Sequence, residues 1–120
     1  MSNQAGVARG FYTVDDVDRF HLEMNAQLDE IGAHIDAFYF CPFHSDGIVE
    51  EFTHPDHPNR KPNPGMLLEA LTDWPIVVNE SFLVGDKESD LAAATAAGVR
   101  SFHFQDGNLA TFLQSAIKDI

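Results

Sequence analysis

Short apolar stretches alternate with helix-length amphipathic ones along this chain, and that alternation limits the possible folds most. Strands separated by helices do not close as hairpins; they join as βαβ units in a parallel sheet. Residues 36–41, 81–84 and 101–104 read as strands, each rich in aromatic or branched side chains. Residues 13–32, 66–74 and 91–97 read as helices, followed by a last one with Leu109, Phe112, Leu113, Ala116 and Ile117 on its apolar face. In the first helix Val17, Phe20, Met24, Leu28 and Ile31 recur at steps of three and four, which places them on one face. Thr13 is its expected N-cap, with Asp15 and Asp16 in the turn where the helix dipole favours negative charge. Gly32 suits its C-terminal end, and Gly98 suits that of the third helix. The second helix is expected to bury Leu67, Leu71 and Trp74. Residues 42–64 hold five prolines and three histidines, too broken for a regular element and too short of flanking chain to be a linker. A chain of 120 residues supplies one modest core, so a single α/β domain over 1–120 is expected.

Charge narrows the function. Acidic residues outnumber basic ones by 19 to 7, for a formal charge of −12. Duplex binding requires Lys and Arg to replace condensed counterions, so the balance argues strongly against a general nucleic-acid partner, and also against docking on an anionic membrane. No apolar run approaches the ~20 residues that span a bilayer, and MSNQAGVARG has no apolar signal segment. The one cysteine, Cys41, cannot form an internal disulfide, which suits a reducing cytoplasm.

Because cations are few, their placement is informative. Arg9, Arg60, Lys61 and Lys87, four of the seven, lie in Gly- or Pro-containing turns: NQAGVARG, NRKPNPG and VGDKESD. They are either solvated surface charges or an anion site built from three loops, suited to a phosphate-bearing small molecule. The run FLVGDKESD places Asp86 after an apolar strand, at the sheet edge where open α/β folds bind ligands. Asp90, four residues on, could share one hard cation such as Mg²⁺ with Asp86, or simply favour the first helical turn. Cys41, His44, His54 and His57 have the C-x2-H and H-x2-H spacing of a zinc loop.

The succession Ser2-Asn3-Gln4, then RKPNPGM from Arg60, then Val84-Gly85-Asp86-Lys87 resembles the haloacid dehalogenase (HAD) superfamily. Within it the chain resembles the small phosphatases of heptose bisphosphate and histidinol phosphate, over nearly its whole length. The resemblance implies a Rossmann-like parallel sheet with flanking helices, and Mg²⁺-dependent hydrolysis of a sugar phosphate. Heptose 1,7-bisphosphate is the first expected substrate and histidinol phosphate the second. It implies that Ser2 hydrogen-bonds the transferring phosphoryl group and that Lys61 neutralises charge between nucleophile and phosphate. Asn3, Gln4, Ala5, Arg60 and Lys87 would contact substrate, and Asp86 would hold Mg²⁺.

The family's Asp-x-Asp nucleophile lies on a first strand that would precede Ser2. The chain is therefore expected to lack its first two strands, to be inactive alone, and to self-associate or pair with the missing segment. Asp15 and Asp16, at a helix start, are poor substitutes. Related phosphatases hold zinc in the loop through Cys-x-His and Cys-x-Cys pairs. Here Phe43, His57 and Asn59 stand at three of those positions, so zinc is the less favoured expectation. A rival reading from another class is a non-catalytic fragment that binds a phosphorylated ligand or another polypeptide.

Overall fold

A computed structural model describes residues 1–119 and contains two compact units, Met1–His57 and the chain from Pro58 onward. The first unit opens with a strand, β1 (Ser2–Asn3), and a single helical turn, α1 (Ala5–Ala8). Neither is visible in the periodicity, because each is too short to show one. The long helix α2 (Val14–Asp29) begins as its sequence dictates: Thr13 Oγ1 accepts the Asp16 N–H, and the Asp16 carboxylate accepts the Thr13 N–H. Its end is set by Gly32, which takes φ +76° and lets Ala33 N–H reach back to the Leu28 carbonyl. The strand expected over 36–41 contracts to β2 (Phe40–Cys41), which pairs in parallel with β1, Ser2 opposite Phe40 and Asn3 opposite Cys41.

The buried face of α2 differs from the periodic stripe. Val17 and His21 are its buried residues, whereas Phe20 is 60% and Ile31 78% exposed. His21 wins because its ring lies flat on Phe38, with centroids 4.2 Å apart. The loop after β2 is more ordered than its prolines suggest. It contains a 3-10 turn at Glu50–Phe52 and a bridge between His44 and Thr53, and its 48–49 segment is strapped to α1 by two N–H donors on the Ala8 carbonyl.

The second unit is a βαβ unit with two further helices. Its elements are α3 (Gly65–Asp73), β3 (Phe82–Gly85), α4 (Glu88–Ala97), β4 (Arg100–His103) and α5 (Leu109–Lys118). β3 and β4 run parallel, from Phe82 opposite Arg100 to Gly85 opposite His103. The core is Leu67, Ala93, Ala94 and Val99, with Leu71, Val78, Leu83 and Ala97 packed on it. Small alanines on α4 let the helix lie close to the two strands. Gly98, at φ +75°, ends α4 where it was expected to. Three residues expected on buried faces are not core: Trp74, at the end of α3, is 43% exposed, and on α5 Leu109 is 48% and Ile117 58% exposed. Trp74 falls outside because α3 stops at Asp73 and the backbone turns extended there. No helix among the described residues is long and apolar enough to cross a membrane.

Candidate active site

The turn from Pro58 to Gly65 closes on itself, with Gly65 N–H bonded to the Pro58 carbonyl at 2.9 Å. Only glycine fits there, since a Cβ on Gly65 would sit 2.4 Å from that same oxygen. The closed turn presents Arg60 and Lys61. The Lys61 ammonium meets Asp90 Oδ1 in an ion pair whose side chains are only 12% and 8% exposed. The other oxygen, Oδ2, accepts the Lys87 backbone N–H at 3.1 Å. Burial pushes the Asp90 carboxyl upward. The Lys61 ammonium and the N–H groups of Lys87 and Asp86 outweigh it and hold the group below its usual 3.8. Gly85, the last residue of β3, makes this possible: a Cβ there would lie 2.3 Å from the Asp90 Cβ.

Both Asp90 oxygens are engaged, one by Lys61 and one by the Lys87 N–H, so Asp90 anchors Lys61. Asp86 follows β3 as expected and its side chain is exposed. Its backbone carbonyl lies 3.1 Å from His103 Nε2, and His103 Nδ1 stands 3.9 Å from the Glu88 carboxylate. Sequence reasoning passed over His103, whose only signal is its place at the C-terminal end of β4. Mg²⁺ prefers several oxygen ligands in a near-octahedral shell. Among the described residues no group of three or more His, Cys, Asp or Glu side chains gathers to hold a metal. Asp86 suits one Mg²⁺ ligand position, but the donors present do not complete a site.

In the first unit, Ser2, Asn3 and Gln4 lie at the end of β1, with Ala5 opening α1. Gln4 Nε2 donates to Ser2 Oγ at 3.0 Å, and Tyr12 OH donates to Gln4 Oε1 at 2.6 Å. Tyr12 is the second residue that sequence reasoning missed. Its ring lies over Gly6, where a Cβ would be 2.2 Å from the ring carbon Cε1. With Gln4 donating to its oxygen, the Ser2 hydroxyl is left to direct its own proton elsewhere. A cavity of about 350 Å³ adjoins this chain of bonds, lined by Gln4, Tyr12, Asp16, Val17 and Phe20. Asp16-Val17-Asp18 has the letters of an Asp-x-Asp motif, but it lies in the first turn of α2, where Asp16 is engaged in the cap and with Arg19.

The zinc candidates do not converge. Cys41 is fully buried, with its Sγ 4.0 Å from the Phe43 carbonyl. His44 Nδ1 and His54 Nδ1 each accept a backbone N–H two residues on, from Asp46 and Asp56. His57 stacks flat on Phe43, with centroids 3.9 Å apart, and burial together with neighbouring His54 lowers its pKa. Among the described residues these side chains form no group of three or more that could hold a metal.

With this geometry in place, comparison with known proteins is decisive for the fold. The chain is 30% identical to the D,D-heptose 1,7-bisphosphate phosphatase from B. bronchiseptica, whose crystal structure holds magnesium and phosphate. The two superpose with a TM-score of 0.73 over 95% of this chain and 60% of that one. The fold is that of the HAD-like phosphatases. Residues 58–113 match the HAD-hydrolase-like family. The chain is 38% identical over 117 residues to the D-glycero-β-D-manno-heptose-1,7-bisphosphate 7-phosphatase of Rhodopseudomonas palustris, covering 98% of this chain and 64% of that protein. It is 40% identical over 99 residues to the enzyme of the same name from Escherichia coli K12, covering 82% of this chain and 51% of that protein. The chain thus spans about half to two thirds of the length of these relatives.

Proposed function

We propose that the chain forms the phosphate-binding and charge-neutralising part of a Mg²⁺-dependent phosphate-monoester hydrolase acting on a heptose 1,7-bisphosphate. The observation that carries this reading is the buried Lys61–Asp90 pair beside Gly85, at the C-terminal end of β3. Phosphoryl transfer consists mostly of positioning and stabilising charge on three phosphoryl oxygens. A lysine fixed by a buried carboxylate needs no reorganisation when that charge develops. Arg60 and Lys87 stand on the turns that Lys61 and Asp90 draw together, and recognise the anionic substrate in this reading. Ser2, oriented by Gln4 and Tyr12, donates to a phosphoryl oxygen, and Asn3, Gln4 and Ala5 line the adjoining turn. Mg²⁺ would take Asp86 as one ligand and would neutralise phosphate charge when bound. Among the described residues the donors present do not complete its shell. The attacking carboxylate would come from an Asp-x-Asp strand outside the residues named here.

The test is phosphate release from a panel of sugar phosphates headed by heptose 1,7-bisphosphate. It compares the 120-residue chain with the same chain extended N-terminally by an Asp-x-Asp strand. The extended protein should turn over in Mg²⁺ and the shorter one should not. Lys61→Met should lower the extended protein's kcat by about a hundredfold or more, the usual effect of losing one preorganised charge donor. Turnover by the shorter chain, or an unchanged rate in Lys61→Met, would exclude this division of labour. Phospholigand binding with no turnover in the extended protein would favour the non-catalytic reading.

A further inference from the structure

In the first unit, Arg9 Nη2 and His44 Nε2 stand 3.4 Å apart. Which of them accepts is decided on the other side of the imidazole. His44 Nδ1 receives the Asp46 backbone N–H at 2.9 Å, so the ring proton is assigned to Nε2. A guanidinium has donors and no acceptor. Two donors therefore face each other, and they cannot satisfy one another. One acceptor placed between them would satisfy both, and an anion pairs most strongly with the guanidinium.

The backbone holds both groups in place. Arg9 caps α1, whose Ala8 carbonyl takes the N–H groups of Ile48 and Val49 at 2.8 and 3.0 Å. His44 donates its own N–H to the Phe52 carbonyl at 3.2 Å and accepts that of His54 at 3.1 Å. Among the described residues no carboxylate pairs with Arg9, although the chain has 19 acidic residues against 7 Lys and Arg. An arginine without a carboxylate in so acidic a chain, aimed at a second fixed donor, is arranged for an outside anion.

We propose that Arg9 and His44 form an anion subsite that takes a phosphate group on Arg9 Nη2 and His44 Nε2–H. This deepens the phosphatase reading and rests on it for the ligand's class. Arg9 and His44 take a phosphate group within the first unit. The source is either the second phosphate of a bisphosphorylated sugar or free inorganic phosphate.

The experiment follows the His44 ring ¹⁵N resonances of the full chain during titration with inorganic phosphate, a hexose monophosphate and a hexose bisphosphate. A saturable shift of His44 Nε2 is expected, with affinity about tenfold weaker in Arg9→Gln, the loss of one charge-assisted bond. Arg9→Lys should recover part of it, as a charge without the planar fork. Arg9 is exposed, so Arg9→Gln should leave the far-ultraviolet circular dichroism unchanged. Weakening confined to the bisphosphate identifies the second sugar phosphate; equal weakening for all three identifies a site for any phosphate group. No saturable His44 shift, or equal affinity in Arg9→Gln, would overturn the subsite. Phosphate affinity that depends on Lys61 and not on Arg9 would overturn it while leaving the phosphatase reading intact. A subsite with normal Arg9 dependence in a protein that fails the turnover test would do the reverse.

Discussion

At the scale of single residues, Asp90 explains the most. It is a buried carboxylate whose two oxygens serve Lys61 and the Lys87 N–H, and Gly85 leaves the space for it. Removing one partner of such a pair leaves the other charge buried, typically at a cost of about 3–5 kcal/mol, whereas an exposed pair such as Arg19–Asp16 is worth far less. Lys61→Met should therefore lower unfolding stability at pH 7 by an amount of that order. The pH dependence should also become shallower. With its folded pKa depressed, Asp90 contributes stability above its unfolded value near 3.8, and loses it as pH falls through the folded value. Without Lys61, only the backbone N–H groups of Lys87 and Asp86 oppose burial and the carboxyl rises, so the variant should lose less stability as pH falls from 5 toward 3. Urea unfolding of both proteins at pH 7, 5 and 3 measures this. Parallel profiles would show that the pair does not control the carboxyl.

Elements show how a local pattern is overruled by a neighbour. The cap of α2 is local: Thr13 and Asp16 satisfy one another's backbone donors wherever the helix lies. Its buried face is not local, because Phe38 selects His21 over the more apolar Phe20. That choice has a measurable consequence. Burial lowers the His21 pKa from 6.5, against the opposing pull of Asp18. The unfolded chain then binds the proton more readily, so His21 contributes stability above about pH 6.5 that is lost as pH falls toward its folded value. The melting temperature should drop between pH 7.5 and 5.5. The drop should be smaller in His21→Phe, which keeps a ring on Phe38, with His57 accounting for the part that remains. An identical drop in both proteins would rule out His21 as a source.

For the whole molecule, what matters is how much apolar surface and strand edge the two units leave uncovered. Each described sheet has two strands, and two strands alone are marginal in water. Ile48 is 81% exposed, Phe11 75% and Leu22 71%, and single exposed side chains of this size are common. Together with open parallel edges they are a liability. The 120-residue chain should therefore associate as its concentration rises and bind hydrophobic dyes. Light scattering across a hundredfold dilution, with a thermal melt at each end, tests this. A monomer at every concentration, unfolding in one sharp transition, would mean that the two small sheets suffice.

The residues by themselves determined the parallel α/β alternation, the Thr13 cap, the glycine ends at Gly32 and Gly98, and the place of Asp86 after an apolar strand. All of these depend on periodicity, capping and backbone chirality within a few residues, so no distant partner has to be known. Tertiary structure alone decided β1, too short for any pattern, and the buried face of α2. It also decided the engagement of Asp90 by a lysine 29 residues away and the meeting of Arg9 with a histidine 35 residues away. Those pairings depend on which loops the backbone brings together. A side chain's chemistry says what it can bond, but only the folded chain supplies the partner.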